Sequence, residues 1–507
     1  MRLRVLVLCS GLILPPTVAR ADLLAQAIDS TAPVTANNLL SWAGPARATS
    51  LPELLQFAIQ QSPALATAKL DIEIAQAQIE QTWARHDWVV GAQANGSWSE
   101  SGVVSGVTTG SSTRFDLSGE IAKPLSTGGR LGVRVGTAYS KSKSTLFDSK
   151  YWSDSVALTF SQPLLRGRGG EVFDATERRA ILQRDAVTLA RRQAALDTVQ
   201  VIVSAYWDLV LAQRQTAITE ASLALARERL RITQIGAAGG KIANAEIPAV
   251  EQIIATREEE VLGGELSVVE RSIALRRAVN MPIGAGDLAL RVDGELAAND
   301  QGWSLAPLLE RAYAASPQLA QLSKQEAGST IEIDVNENGL LPQLDLDLSF
   351  GPTGVDSTFG GAAKNLGKFG ELSATGSLTF SQSLGKHDVR GRSKELRLQR
   401  EKVRVTATDV RAQIAESLAR AVAGIELAKR RVALSQRALD LATENIRIET
   451  DRFNLGKSTN FDVLNRVEEQ RQAELRKAQA LVDWHKAETV VQALTGELLG
   501  AFGIHVE

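Results

Sequence analysis

Residues 51–66 read LPELLQFAIQQSPALA, and residues 305–320, 254 positions further along the chain, read LAPLLERAYAASPQLA. Each stretch is a leucine-rich segment that ends in a Ser-Pro step and a short apolar tail. A match of this length indicates an internal duplication. The segments that follow the two stretches should then occur in the same order in both copies. The sequence therefore predicts two tandem repeats, the first over residues 51–280 and the second over residues 304–499.

The two repeats differ in length. Ser161-Gln162 matches Ser381-Gln382 at an offset of 220 residues, and Gly240 matches Gly456 at an offset of 216, each glycine preceding a lysine. Because the offset falls from 254 to 220 before Ser161, the first repeat carries roughly 34 extra residues in that part. An insertion of this size is that of a β-hairpin with its loops.

The N-terminus is typical of an export signal. Residues 1–21 combine an arginine-containing start, an apolar run and the small-x-small site Ala19-Arg20-Ala21, so we expect the mature chain to begin at Asp22. The only cysteine, Cys9, lies inside this signal and lacks the small neighbours of a lipoprotein processing site. We therefore expect a mature chain without an N-terminal lipid and without disulfides.

Composition and motifs argue against several classes of function. A net charge of −2 with 44% apolar residues does not suggest nucleic-acid binding. No phosphate loop or nucleophile elbow is present, and Arg166-Gly167-Arg168-Gly169-Gly170 is interpreted as a strand-to-helix joint. We expect no catalytic site, no cofactor and no metal, since the histidines are far apart and lack metal-ligand spacing: His86, His387, His485 and His505.

Long helical hairpins are predicted in both repeats. Small or apolar residues recur at steps of three and four, which is typical of a coiled-coil seam. No proline interrupts residues 164–247 or follows Pro352, so helices of roughly 65–70 residues are permitted. Returning helices are predicted over 244–279 and 459–495. The second-repeat seam is Val403, Ala407, Val410, Ile414, Leu418, Ala421, Ile425, Ala428, Val432, Ser435, Leu439, Ala442 and Ile446, and the first-repeat seam is Ile202, Ala205, Leu209, Ala212, Thr216, Leu223 and Leu230.

Six other stretches alternate apolar and polar residues, four within residues 86–163 and two within residues 343–381. After the signal no run of about 18 consecutive apolar residues occurs, so a membrane crossing would use β-strands. Alternation over about 9–11 residues with aromatics near the ends favours a transmembrane barrel with a wet lumen. A soluble sandwich with one solvated face gives the same alternation. Long loops are predicted at Ser101–Ser112, Lys141–Tyr151 and Gly351–Gly370, and a tight turn at Pro124–Gly129.

The order of these segments resembles the TolC family of outer-membrane factors over nearly all of residues 51–500. Three phrases carry the resemblance: LPEL at residues 51–54 with its Ser-Pro step, SQPLLRG at residues 161–167, and RFNLGKSTNFDVLN at residues 452–465. The resemblance implies a homotrimer in outer-membrane lipid, whose strands share one barrel and whose helices continue as a periplasmic tunnel. It also implies a periplasmic adaptor and an inner-membrane pump as partners.

One departure from the family pattern concerns the barrel. The family has two strands per repeat and twelve per trimer, whereas the first repeat here has four predicted strands. If the extra hairpin between residues 113 and 142 joins the wall, the trimer has eighteen strands and a wider pore. Otherwise the hairpin decorates a wall of twelve. Its clean alternation slightly favours the wall.

The resemblance also implies a periplasmic gate near the second tip glycine. Asp462 falls where the family places an acidic side chain that threefold symmetry turns into a carboxylate ring. Such a ring attracts cations. Asn465 stands at a second position that is acidic in some members, and Phe453, with Ser458 and the adjacent Lys457, stands where aromatic and basic partners are expected. A structural role is compatible with gating, since Thr459 and Asp462 have the spacing of a capping box.

The helical tips are the expected docking sites for the adaptor. They comprise Gly240 with Lys241 and Glu246 in the first repeat, and Gly456 in the second. We expect Lys241 and Glu246 to be solvated or to face the adaptor.

The sequence thus predicts a mixed α and β membrane protein: a trimeric transmembrane β-barrel continued by a long antiparallel α-helical periplasmic tunnel. The expected function is a passive exit duct for efflux or type I secretion. A barrel-anchored trimeric structural or adhesive coiled-coil protein is the main alternative, and a diffusion porin is a third. Drug, metal and protein substrates all stay open. The remaining segments are an irregular stretch at 22–50, a linker at 281–303 and a tail at 500–507.

Overall fold

The computed structural model describes residues 49–100, 103–104, 107–108, 110–143, 148–240, 242–283, 290–297 and 302–504. The expected export signal and nearly all of the irregular N-terminal stretch lie outside these residues, as do parts of the linker and the tail. The chain forms two compact units. One comprises the stretch up to Pro63 with residues 195–309 and 417–507, and the other comprises residues 64–194 and 310–416.

Most of the described chain is helical. The helices are α1 Leu51–Gln61, α2 Pro63–Thr82, α3 Ala175–Ala238, α4 Glu246–Val279, α5 Leu305–Ala315, α6 Pro317–Asn338, α7 Phe359–Gly367, α8 His387–Asn454 and α9 Asn460–Leu494. Single helical turns also occur at Trp83–His86, Gly170–Phe173 and Leu498–Ala501. Both α2 and α6 begin at a proline, which suits the first helical turn because its N–H groups have no partner inside the helix.

The long helices bury their predicted seams. In α8 the buried positions include Val410, Ile414, Leu418 and Ile425, and in α3 they include Leu209. One window of α3 is long and apolar enough to cross a membrane by composition alone, with a mean hydropathy of 1.3. Half of that window is buried inside the protein.

The strands form one antiparallel sheet. They are β1 Val89–Glu100, β2 Ser111–Pro124, β3 Arg130–Lys143, β4 Asp148–Pro163, β5 Gln343–Asp356 and β6 Glu371–Ser381. Their order in the sheet is their order in the chain. A two-residue ladder, Val103–Val104 with Val107–Thr108, lies between β1 and β2. The extra hairpin is therefore part of the sheet, since β2 and β3 lie between β1 and β4.

The register sorts the side chains onto two faces. Ile121, Val133 and Leu158 are successive partners across β2, β3 and β4, and they share an exposed apolar face. Glu120 and Arg134 lie opposite each other on the other face, where the Arg134 guanidinium contacts the Glu120 carboxylate at 2.7 Å. Directly opposite residues in a sheet point to the same side, so the alternation predicted from sequence separates apolar from polar surface.

Two predicted loops are largely ordered secondary structure. The Lys141–Tyr151 stretch contributes to the ends of β3 and β4, and the Gly351–Gly370 stretch contains the end of β5 and all of α7. Over the described residues these loop predictions were wrong, because glycine is a poor helix former and the serine and aspartate residues at the ends of β3 and β4 are also common in turns. Packing stabilises α7 instead: Ala362 is fully buried against Gly354, where a side chain would collide with the backbone of α7.

The linker contacts the start of the described chain. Thr49 and Val292 form a parallel bridge, and the Thr49 N–H donates to the Arg291 carbonyl at 3.0 Å. In the same unit the Gln213 side chain donates to the Leu290 carbonyl at 3.1 Å. The described linker residues 290–297 are therefore held against α3.

Candidate functional site at the helical tips

The second tip begins where α8 ends. The N–H of Leu455 donates to the Asp451 carbonyl at 3.1 Å, and that of Lys457 donates to the Arg452 carbonyl at 2.9 Å. Gly456 lies between them with a φ of 70°, a left-handed conformation that side chains disfavour. The glycine ends α8 and turns the chain toward α9.

A capping box starts α9. Thr459 Oγ1 accepts from the Asp462 N–H at 3.2 Å, and the Asp462 carboxylate accepts from the Thr459 N–H at 3.0 Å. The Thr459 hydroxyl also contacts Asp462 Oδ2 at 2.7 Å, and the Ser458 hydroxyl contacts the same oxygen at 3.3 Å. The predicted structural role of Thr459 and Asp462 is confirmed. The gating role stays a prediction.

The same hydrogen bonds set the charge of Asp462. Bonds from the side chain and the backbone of Thr459 hold the pKa of Asp462 below its usual value, with a smaller contribution from Ser458. The side chain is exposed, so the tip presents an ionised carboxylate to solvent near neutral pH. Asn465 is exposed one helical turn further along α9.

Sequence reasoning did not identify Glu449, which anchors this tip. Its side chain is only 10% exposed, and it accepts a hydrogen bond from Ser458 across the turn. Arg452 lies 3.7 Å from its other carboxylate oxygen. Ser458 therefore bridges a buried glutamate on α8 and the exposed Asp462 on α9.

Phe453 contacts a cation from the first repeat. The Arg229 guanidinium of α3 lies 6.0 Å from the centre of the Phe453 ring, and it also donates to Thr450 at 3.4 Å. Burial lowers the pKa of Arg229. An aromatic face stabilises a cation electrostatically, so Phe453 links α8 to α3 without the hydroxyl of a tyrosine.

A buried polar contact joins the start of α9 to α3. Asn460 and Thr233 are both fully buried, and the Asn460 amide donates to the Thr233 hydroxyl. Thr233 in turn donates to the Arg229 carbonyl at 2.8 Å. Buried polar groups cost free energy unless they are hydrogen-bonded, so this contact favours one register between the two helices.

The first tip is built differently. Gly240 has a φ of 70° and its N–H donates to the Ala237 carbonyl at 3.0 Å. Lys241 lies outside the described residues. Glu246 begins α4, and its Oε2 atom is buried and has no hydrogen-bond partner among the described residues. One oxygen of this carboxylate is therefore shielded from solvent, and the predicted role of Glu246 at the adaptor stays a prediction.

An ion-pair network fastens α4 to α9 further from the tips. Arg257 contacts both Glu260 and Glu468, and Arg471 contacts the same two glutamates. Both arginine side chains are nearly buried, at 12% and 13% exposure. Hydrogen bonding to Glu468 raises the pKa of Arg471. The two positive and two negative charges of α4 and α9 thus neutralise one another where water is partly excluded.

Three potential metal ligands lie close together, although one of them is far from the other two in the sequence. Donor atoms of His86, Asp174 and Glu177 lie within 4.8 Å of one another. The Glu177 carboxylate accepts from the Trp83 indole at 3.0 Å, and His86 lies 4.0 Å from it. Asp174 and Glu177 flank the start of α3, where acidic residues favour the helix dipole. These contacts join the helical turn at Trp83–His86 to the start of α3, and this structural role explains why the three side chains lie together.

The sequence is similar to those of known proteins. A model of the family described as outer membrane efflux protein matches residues 54–281 and 308–497. Nodulation protein T of Rhizobium leguminosarum bv. trifolii is 23% identical over 332 residues. That match covers 62% of this chain and 66% of the relative, which is just under two thirds of its length.

Solved structures agree in fold. The outer-membrane channel OprN is 16% identical with a TM-score of 0.63, covering 88% of this chain and 90% of that chain. VceC from Vibrio cholerae is 16% identical with a TM-score of 0.61, covering 90% and 97%. The Campylobacter jejuni CmeC channel is 13% identical with a TM-score of 0.61, covering 88% and 86%. The family model matches most of the sequence and confirms the resemblance inferred from it, and the chain belongs to the outer membrane efflux protein family.

Proposed function

We propose that three copies of this chain form a passive exit duct that conducts substrates outward from a periplasmic adaptor and an inner-membrane pump. Membership of the family places the chain in the outer membrane, with its helices in the periplasm. The observation that carries the proposal is the six-stranded sheet, which has one apolar face, one polar face and two unpaired edges.

The edges argue for assembly. Within the described sheet β1 pairs only with β2, and β6 pairs only with β5. An open strand edge in lipid leaves N–H and C=O groups without partners, which costs several kcal/mol per group, so spanning sheets close into barrels. We call the end of the sheet where β3 meets β4 and β5 leads into α7 the loop end. β1 runs toward the loop end, and β6 runs away from it. Joining β6 of one protomer to β1 of the next therefore continues the antiparallel order, and three copies supply eighteen strands.

The polar face suits a wet lumen. Asp116 pairs with Arg114, and Glu120 pairs with Arg134, on the face opposite the apolar rows. Charges on a lipid-facing surface are costly, whereas a water-filled interior solvates them. This arrangement supports conduction and disfavours the adhesive alternative, which needs no polar lumen.

Asp462 is the proposed gate residue. Its exposed, ionised side chain at the start of α9 becomes three carboxylates under threefold symmetry, and such a ring attracts cations and repels anions. The tips at Gly240 and Gly456 are the proposed docking sites for the adaptor.

The test is single-channel conductance and ion selectivity in planar bilayers. We expect Asp462→Ala to lose cation preference, because the ring loses its charge. Thr459→Ala is the matched control: it removes the cap, at a cost of about 1 kcal/mol to the helix start, but keeps the carboxylate. Selectivity should therefore survive in Thr459→Ala. Inserted trimers with no conductance would contradict the duct, and equal loss of selectivity in both variants would contradict the ring.

A further inference from the structure

The apolar face of the sheet changes character toward the loop end, where β3 meets β4 and β5 leads into α7. Four successive cross-strand pairs of β3 and β4 lie on this face: an apolar pair, a polar pair, an aromatic pair and a basic pair. In outward order they are Val135 with Val156, Thr137 with Asp154, Tyr139 with Trp152, and Lys141 with Lys150.

The aromatic row marks the level where lipid meets water. The Tyr139 and Trp152 rings lie 5.0 Å apart, and Phe359 of α7 contacts Trp152 edge-on at 5.5 Å. Tyrosine and tryptophan are enriched at membrane interfaces because each joins an apolar ring to a polar atom. The basic row therefore lies at the level of the lipid headgroups.

Lys141 and Lys150 form an unusual pair. They are directly opposite each other, both are exposed, and like charges in this position destabilise a sheet. No ion pair joins either lysine to any carboxylate in the part of the chain that the structure describes. The next pair outward, Lys143 with Asp148, is balanced in charge. An anion from outside the chain would relieve the repulsion between Lys141 and Lys150.

Helix α7 packs on the same face of the sheet. Gly354 lies opposite Asp154 in the register, and α7 covers it, so the helix packs on the face that carries the aromatic and basic rows. Lys364 and Lys368 of this segment are exposed, and the helix itself contains no acidic residue. We call Lys141 and Lys150 the rim patch.

A crevice of about 450 Å³ lies between α7 and the sheet. Phe359 and Leu366 line it on the helix side, and Leu117 and Val135 line it on the sheet side. Asp154 also lines the crevice; it is 6% exposed, and its Oδ1 atom has no partner among the described residues. The apolar side chains that line the crevice suit an acyl chain.

We propose that the rim patch binds the phosphate groups of a phosphorylated glycolipid in the outer leaflet, with Lys141 and Lys150 as the central contacts and the crevice holding an acyl chain. Charge complementarity favours an anionic lipid, because a phosphate bound between the two lysines offsets their mutual repulsion. The inference rests on the outer-membrane location of the sheet and not on conduction through it.

Native mass spectrometry of the trimer from nanodiscs tests the proposal, with bis-phosphorylated lipid A as the probe and the same lipid without phosphates as the comparison. We expect the phosphorylated form to be retained and the dephosphorylated form to be lost. Each lysine changed to glutamine should weaken retention about fivefold, and Lys141→Gln with Lys150→Gln roughly thirtyfold.

Two control variants test whether retention depends on the positive charge at Lys141 and Lys150. Lys394→Gln with Lys402→Gln removes two exposed lysines of α8 and should leave retention unchanged, whereas Lys141→Arg with Lys150→Arg should keep it. Equal retention of both lipids, or full retention by the double glutamine variant, would overturn the proposal. Displacement by millimolar inorganic phosphate alone would show a site for free phosphate and overturn the lipid assignment. Conductance of the same samples reports separately on the duct.

Discussion

At the scale of the residue, Asp462 combines a structural and an electrostatic role. Its carboxylate closes the capping box with Thr459, and the same hydrogen bonds stabilise its charge. The spacing of the two residues is enough to predict the cap from sequence, because a cap is a local interaction. Glu449 and Arg229 were not predicted, because their contacts with Ser458 and Phe453 depend on how helices pack, which no local pattern records.

The depressed pKa of Asp462 predicts how selectivity depends on pH. A carboxyl whose folded pKa lies below its usual 3.8 stays charged as pH falls from 7 to 5, and the charge is lost only as pH passes below that value. Cation preference measured by reversal potential should therefore be constant from about pH 7 to pH 5. A midpoint near pH 5–6 would contradict this expectation, and it would show that repulsion among three carboxylates outweighs the Thr459 hydrogen bonds.

At the scale of the element, the network of Arg257, Glu260, Glu468 and Arg471 determines how α4 packs on α9. Glu468→Gln removes a carboxylate that contacts both arginines, and these are too buried for water to replace it fully. We expect a loss of about 1–3 kcal/mol, below the range for a fully buried pair because Glu468 remains partly solvated.

The measurement is the apparent Tm from far-UV circular dichroism at a fixed scan rate. Glu426→Gln is the matched control, since it breaks an exposed pair with Arg430 on one helix and should cost less than about 0.5 kcal/mol. Equal Tm values for the two variants would mean that the network contributes nothing to packing.

The two faces of β3 provide a second prediction at this scale. Val133 lies on the apolar face between Ile121 and Leu158, and Ala138 lies on the polar face near Asp116. Val133→Lys should destabilise the inserted protein by about 2–4 kcal/mol, because a charge then faces lipid, whereas Ala138→Lys should be tolerated. Urea titration in vesicles, followed by tryptophan fluorescence, distinguishes the two. Equal sensitivity would argue against β3 as part of the membrane wall.

Periodicity predicts the long helices and strands of this chain well, since their signals extend over ten residues or more. It fails for α7, where three glycines in nine residues hide a helix that depends on burial of Ala362 against the sheet. It also fails for the group at His86, because Asp174 and Glu177 reach it only in three dimensions. The misassigned segments are thus those whose stability comes from tertiary contacts.

At the scale of the whole molecule, the edges of β1 and β6 have no partner within the described sheet, and the proposed assembly pairs them between three copies. The hairpin of β2 and β3 raises the sheet to six strands per chain, so closure by three copies gives an eighteen-stranded wall and a wider pore than twelve strands allow. Because the only cysteine lies in the expected export signal, the mature chain suits disulfide mapping of this closure.

Ala94 and Ala374 lie on the apolar face of the two edge strands, opposite Leu117 and Phe350 respectively. We expect Ala94→Cys, combined in turn with Leu372→Cys, Ala374→Cys or Leu378→Cys, to form an intermolecular disulfide in at least one pairing, since antiparallel neighbours bring Cβ atoms within about 5.5 Å. Non-reducing gels should then show covalent trimers. The control pairs Ala94→Cys with Val156→Cys, which lies in the middle of the sheet and should remain monomeric on the gel. Crosslinked dimers without trimers, or no crosslink in any pairing of an inserted protein, would contradict closure of the wall by three copies joined from β6 to β1.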